Sequence, residues 1–378
     1  MVQNSERGMG REAVITIGGN QRKTNIELLR IVLMLMVIGV HYNAPGMGDA
    51  FAQVIPQTIN SYILSFLESI CIVCVNTYVI ITGYFMIQSE QIRLEKVVRL
   101  LFLVLFYNAL MYLLEVLCGL NYFSIGELAK NLIAGKWFIT LYIVLYLLSI
   151  FINILVSKLS REGYRCFLII MLSIFVVWPT ILDVAFGILG KEVPVGLSTL
   201  SPNGGRESGY HIMIFITLYS IGGYLRKFYE KKKKSMAYLG IFFGVAVLIF
   251  GVSLFTDRVW DYDNLLVVAN SVVIFLMFLN CKVRYHKWIH KVSATTLAVF
   301  IIHTSDFMNH IWTELKVETF CNSVYVPIHF LLSVLAVFVC CMIIDIIIRP
   351  IANKIIDLVF KIFPVFKLVV KKKDILAK

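Results

Sequence analysis

Apolar runs of about 20 residues follow one another from residue 26 to residue 348, with no soluble-looking block between them. A run of that length is what a helix needs to cross the hydrocarbon of a bilayer at about 1.5 Å of rise per residue. In lipid every backbone N–H and C=O must be satisfied within the protein, which leaves such a chain a bundle of helices as its fold. Ten stretches qualify, near residues 26–43, 59–87, 97–118, 137–156, 166–183, 211–225, 236–255, 264–281, 294–312 and 324–348. Composition agrees: 59% of the residues are hydrophobic and 15% charged, whereas soluble domains carry about 25% charged residues. The expected fold is an all-α polytopic membrane protein, a bundle of about ten transmembrane helices with both termini cytoplasmic.

The charges test the span count. With the amino terminus inside, the 35 Lys and Arg concentrate on inner segments; only Lys130, Lys136, Lys191, Arg206, Arg258 and Lys316 fall outside, and Arg30 falls within a span. Inner loops of membrane proteins carry such an excess, and a wrong number of spans would scramble it. The net charge of +12 thus reflects span ends beside anionic headgroups, which makes membrane lipids the partner and excludes nucleic acid. About 25 polar residues precede the first apolar run, so no cleaved signal peptide is expected. The chain divides into a flexible cytoplasmic leader (1–24), a membrane domain (25–350) and a basic cytoplasmic tail (351–378). Ile362, Phe363, Val365 and Phe366 suit that tail to the inner membrane surface.

The eight cysteines offer no disulfide framework. Cys71 and Cys74 form a C-x-x-C inside a span and Cys340–Cys341 lies mid-helix, with no histidine or second pair at ligand spacing. Packing is their expected role, and no metal is expected.

Ionisable residues inside a span are costly and therefore candidates for function. The first span carries Glu27, Arg30 and His41. Arg30 and His41 are eleven positions apart, about 20° past three full helical turns, so they share one face about 16 Å apart along the axis. A plain reading has Arg30 snorkelling and paired with Glu27 one turn away, with His41 at the interface. A functional reading makes both part of a polar path through the bundle.

The sequence around that pair, N-I-E-L-L-R followed by ten residues and a histidine, resembles the first-span signature of the membrane acyltransferase-3 family, in its exopolysaccharide and O-antigen branch. Further segments resemble the family in order. NTYVIITGYFM (76–86) is similar to an F-x-x-S-G-F segment with Thr82 for serine, and Lys96-Val-Val-Arg99 to an R-x-x-R element with Lys96 for its first arginine. KWFITLYIVLYLLSIFIN (136–153) resembles a W-F-x-x-x-Y-x-x-L-Y-L-L-S-P-F-x-N run with Ile150 for proline. Gly209-Tyr210 and Tyr219-x-x-Gly-Gly-Tyr-x-Arg226 resemble another block, and TTLAVFIIHT, ending at His303-Thr304, a Y-L-I-H-P segment without its proline. The resemblance covers about residues 25 to 350.

The resemblance implies a bacterial plasma (inner) membrane, multi-pass O-acyltransferase that takes an acyl group, most simply acetyl, from cytoplasmic acetyl-CoA. The acceptor it implies is a hydroxyl of a surface or lipid-linked polysaccharide. In that frame His41 is the base, since imidazole is neutral and accepting near pH 7, and Arg30 orients the CoA end through its guanidinium. An extended phosphopantetheine arm spans on the order of 15–20 Å, comparable with the axial separation of the two. Direct transfer and an acyl-histidine relay are both open. Glu27 holds Arg30 in its rotamer; His303 is either a second polar wall or a satisfied core histidine, with Asp306 near it or His310. Arg99, Lys96 and Arg226 are candidates for CoA phosphates or plain positive-inside anchors. Trp137 and Tyr142 are pocket candidates on a stripe with Tyr146 whose default role is packing. Glu68 and Asn76 read as interhelical glue. The loop from 187 to 210, rich in Gly and Ser, is an expected acceptor-facing loop.

Two other classes remain: a transporter or flippase for a glycan or small metabolite, and a glycan polymerase. No inverted repeat or pair of broken spans favours the first. For the second, the outer loop holds only Arg206.

Overall fold

The computed structural model describes residues 23–133, 136–194, 196–197, 211–230 and 234–376. The leader through residue 22, the Gly209-Tyr210 pair and Arg206 with most of the expected acceptor-facing loop lie outside the described residues.

The first apolar run forms helix α1 (Thr24–Asn43), and a single turn, α2 (Ala50–Gln53), follows. The second run departs from the expected single span: α3 (Ile59–Cys71) and α4 (Cys74–Met86) meet at a break. At the break the Val73 carbonyl accepts from the Thr77 N–H (3.1 Å) and also from the hydroxyls of Thr77 (2.7 Å) and Ser271 (3.2 Å). The Ser271 hydroxyl thus ties the break to the helix Leu265–Asn280. Strand β1 (Gln91–Arg93) leads into α5 (Leu94–Leu117), then α6 (Ile125–Ile133), α7 (Trp137–Ser157) and α8 (Arg161–Leu172). A π-helical turn at Ser173–Val177 joins α8 to α9 (Trp178–Ile188). After these come α10 (Ile212–Phe228), α11 (Ser235–Ser253) and α12 (Leu265–Asn280).

The run expected at 294–312 is likewise two helices, α13 (Lys287–His303) and α14 (Asp306–Glu314). The break follows His303 although the family's proline is absent. Thr304 and Ser305 donate their hydroxyls back to the Phe300 and Ile302 carbonyls, and Lys136 donates to the Thr304 carbonyl. These polar partners end the helix where proline would have ended it. After α15 (Val317–Phe320), α16 (Val326–Ile362) runs for 37 residues. It continues well past the expected end near 348, and at about 55 Å it outreaches the roughly 30 Å of hydrocarbon. Strand β2 (Val369–Lys371) and α17 (Lys372–Ile375) close the described chain.

Among the described residues eight helical segments have the length and apolar composition to cross a membrane, including Ile59–Met86 and Arg161–Ile188 taken as units. The two other expected spans correspond to α10 and α13, each of 17 residues. The chain is an all-α membrane-spanning protein.

Helix α1 is the centre of the bundle, packed against α3, α4, α12, α13 and α16. Of its apolar window 56% is buried, against 22% for α11, the contrast expected between a core helix and a lipid-facing one. Helices α4 and α10 lie closest together. A Cβ on Gly83 would stand 2.0 Å from the Tyr219 carbonyl oxygen, and one on Gly222 would stand 2.2 Å from that of Ile80. Only glycine lets the two backbones touch there. All eight cysteines are free thiols, with Cys71, Cys74 and Cys341 buried among packed helices.

Candidate active site

Residues Arg30 and His41 sit near opposite ends of α1, and each meets a different environment. The imidazole of His41 reaches across to α13, where its Nδ1 lies 2.7 Å from His303 Nε2. The other ring nitrogen of His303, Nδ1, lies 2.6 Å from the Val299 carbonyl oxygen. A carbonyl only accepts, so His303 carries its proton on Nδ1, which leaves its Nε2 as an acceptor. His41 must then carry its proton on Nδ1 and donate it to His303. The lone pair of His41 therefore resides on Nε2, directed away from the pair. His303 is fully buried, and Phe300 packs edge-on against it with ring centroids 5.9 Å apart. The sequence reading left His303 as a second polar wall or a satisfied core histidine, with Asp306 near it or His310; its side-chain hydrogen-bond partner is His41.

Lys136 stands where α7 begins and donates its ammonium to the Thr304 carbonyl, one residue beyond His303. Its charge acts on both imidazoles. Burial pushes the Lys136 ammonium down to about 8, and the charge of Asp306 opposes that shift. Sequence reasoning counted Lys136 only as an outer positive charge. Its place directly before the Trp-Phe of the α7 run was the available signal.

At the other end, Arg30 Nη1 is 3.6 Å from Glu27 Oε1, and a third of the arginine side chain is exposed. Glu27 is buried, and its second oxygen accepts from Ser293 Oγ at 2.5 Å. Tyr78 Oη donates to the Arg30 carbonyl at 2.6 Å. The acid thus bridges α1 and α13 while holding the guanidinium at the edge of a cavity of about 280 Å³. Met34, Tyr78, Thr82, Tyr142, Thr296 and Phe300 are among its walls. A second cavity of about 220 Å³ contains Met86, Lys96, Val97 and Tyr146, and shares Leu100, Tyr142 and Leu297 with the first. The two cavities thus adjoin, one beside Lys96 and the other running from Arg30 to Phe138 and Phe300, whose rings are 5.7 Å apart. That end is one aromatic layer from His303.

The remaining sequence candidates separate cleanly. Tyr142 is a wall of both cavities, and Lys96 lines the second with its ammonium 5.9 Å from the Tyr146 ring centre. Tyr146 Oη accepts from the Arg93 N–H at 2.9 Å. Trp137 lies outside these walls, its ring against Phe138, Phe215 and Tyr262. Arg99 is engaged by Glu95 (3.1 Å) and Asp357 (3.0 Å) and covers the Phe360 ring. It ties α5 to the end of α16. Arg226 lies over the Tyr84 ring and donates to Gln88. Asn43 donates to Glu68 at 2.8 Å, joining α1 to α3, and Asn76 donates to the Tyr262 carbonyl at 2.7 Å, tying α4 to the turn before α12. Among the described residues, Asp183, Asp261 and Asp263 bring carboxylate oxygens within 4.8 Å of one another at the far rim. Arg258 stands 3.8 Å from Asp183, supplying charge of the opposite sign.

The family model described as "Acyltransferase domain" matches residues 23–346, which takes in α1, the cavities and both histidines. The chain belongs to the acyltransferase-3 family. No curated protein and no solved structure matches it. Membership makes the chain a membrane acyltransferase, and both histidines, Lys136 and the residues lining the two cavities fall within the matched span. An acyltransferase must supply a base for the attacking group, donors for the developing oxyanion and a channel that positions the acyl donor.

Proposed function

We propose that the protein transfers an acyl group, acetyl in the first instance, from cytoplasmic acyl-CoA to a hydroxyl of a cell-surface or lipid-linked glycan. We place it in the plasma membrane of a bacterium, with the Arg30 end of α1 inside and the His41 end outside. The observation that carries the reading is the chain from His41 Nδ1 to His303 Nε2 (2.7 Å) and from His303 Nδ1 to the Val299 carbonyl (2.6 Å), which leaves His41 Nε2 as the bare nitrogen. In that reading the thioester threads past Lys96 and Arg30 and ends beside the histidine pair. His41 Nε2 takes the proton of the acceptor hydroxyl as its oxygen bonds to the thioester carbonyl carbon. The imidazolium that forms donates from Nδ1 to His303, which spreads the new charge. The tetrahedral oxyanion is balanced by the Lys136 ammonium. Collapse breaks the C–S bond, and the thiolate takes the proton from His41, giving the ester and free CoA. Every proton is returned, so the cycle needs neither metal nor redox partner.

Arg30 and Lys96 would hold the donor by charge, and Tyr142 would form the wall between their two cavities. Arg99 and Arg226, already engaged with protein partners, would contribute to the inner positive field rather than to direct contact. The test is the acetyl content of the host's surface polysaccharide by proton NMR, with the gene intact, deleted, and restored as His41→Ala. Acetyl signals should vanish on deletion and stay absent with the variant. Unchanged acetylation with altered glycan export or chain length would replace the proposal with a transport or polymerase role.

A further inference from the structure

The family model ends at residue 346, yet the chain beyond it returns to the bundle. Strand β2 pairs antiparallel with β1, setting Gln91 opposite Lys371, Ile92 opposite Val370 and Arg93 opposite Val369. Backbone bonds from Leu94 N–H to the Leu368 carbonyl (3.0 Å) and from Lys372 N–H to the Glu90 carbonyl (2.8 Å) extend the pairing at both ends. Lys372 Nζ also donates to Ser157 Oγ at 3.0 Å. The carboxy-terminal segment is thus strapped to the membrane domain by its backbone.

The place where it docks gives the strap its meaning. Val370 and Ile375 pack on a small apolar cluster of Ile92, Val97, Tyr146 and Ile150. Val97 and Tyr146 also line the cavity that holds Lys96. The strap also lines a further cavity of about 720 Å³, with Ser89, Glu90, Gln91 and the consecutive Lys371, Lys372 and Lys373 among its walls. Its size falls in the range of about 300–1,000 Å³ usual for small-molecule sites. Met86 borders the Lys96 cavity and Ser89 this one; a tight turn joins them, closed by Ser89 N–H to the Met86 carbonyl at 2.8 Å. Asn153 holds that turn by donating to both the Met86 and Ser89 carbonyls. A basic cavity therefore adjoins the Lys96 cavity, one turn of chain away.

We propose that the carboxy-terminal strap forms part of the donor site, with Lys371 and Lys373 binding the phosphates at the nucleotide end of acyl-CoA. The inference rests on the acyl-CoA reading above and deepens it. Lys372 is held by Ser157, which leaves its two neighbours to face a ligand, and Glu90 is the acid that tempers the site. Phosphate is the shared chemistry of a nucleotide and of a lipid headgroup. The strap's position beside the donor path selects the nucleotide, because a group bound there can also send an arm past Lys96.

The experiment uses the full-length protein in nanodiscs, with acetyl-CoA and 3′-dephospho-acetyl-CoA as alternative donors, at low and high anionic lipid. The wild type should prefer acetyl-CoA, and the pair Lys371→Gln and Lys373→Gln should raise its KM about tenfold, the scale of one lost charge-assisted contact. The same pair should erase the preference over the dephospho donor. Lys371→Arg with Lys373→Arg should restore it, and each single Gln variant should fall between. A preference that survives the double variant overturns the proposal. So does a KM that follows anionic lipid content while ignoring the 3′-phosphate, since the lysines would then be reading headgroups. Failure of the wild type to use any CoA donor is a different result and would remove the acyl-CoA reading itself.

Discussion

The two ends of α1 are polar in different ways. Around Arg30 the charge is permanent, a third of its side chain is exposed, and its acid partner stands off at 3.6 Å. Around His41 the partner is a neutral ring at 2.7 Å, locked by a carbonyl behind it. A permanent charge beside a cavity can hold an anionic ligand without a defined proton position. A neutral pair with fixed tautomers can accept one proton at one atom and pass its charge along the hydrogen bond. In the proposed mechanism one end holds the donor and the other reacts.

The largest effect should come from removing the reactive end. His41→Ala should lower acyl transfer by about 10²–10⁴, the usual worth of general-base catalysis, while the variant keeps its thermal stability in detergent. Activity within tenfold of wild type would place the base elsewhere. Next in size is His303, a positioning residue acting through His41. His303→Ala should cost about 10–100-fold in turnover, and His303→Gln, whose carbonyl can accept from His41 Nδ1, should recover part of the loss. Equal losses in the two variants would mean that His303 serves packing rather than tautomer control.

At the holding end, Arg30→Gln should raise KM for acyl-CoA about tenfold with a smaller change in turnover. A loss confined to turnover would merge the two ends into one catalytic unit. Lys136 supplies a pH-dependent test. Its ammonium titrates near pH 8 because burial favours the neutral form, so charge is present below that value and lost above it. The wild-type rate should fall as pH rises through about 8, and Lys136→Arg, charged throughout, should move that fall to higher pH. A flat wild-type profile through that range would exclude an oxyanion role for Lys136. The smallest effect belongs to Arg99. Its partners are partly exposed ion pairs, a class usually worth about 0–1 kcal/mol, and Arg99→Gln should leave KM within about twofold. A tenfold rise would bring Arg99 into the donor site beside Lys96.

Much of the fold was legible along the chain. Lengths of apolar run marked the helices, since a bilayer leaves the backbone few other solutions. The breaks after Cys71 and His303 were not legible, because groups that bond beside them come from distant parts of the chain: Ser271 to the Val73 carbonyl and Lys136 to the Thr304 carbonyl. Part of the site was legible too. Helical periodicity put Arg30 and His41 on one face, and the acid one turn from Arg30 is in place. Periodicity said nothing of which candidate cations face the cavities. Lys96 lines one while Arg99, three residues on, turns away to Asp357.

What the sequence determines by itself is local: which segments become helices, which way the positive charge is distributed, and which polar residues share a helical face. Those follow from backbone hydrogen bonding in lipid and from 3.6 residues per turn, both read within a few turns of chain. The tertiary structure alone decides that His41 meets His303, 262 residues away, and so which imidazole nitrogen is bare. It alone brings Lys136 to the end of α13 and returns Val369–Lys371 to Gln91–Arg93. A hydrophobic pattern states how strongly a face wishes to be buried, but carries no information on the partner that buries it. The chemistry of this protein depends on those partners.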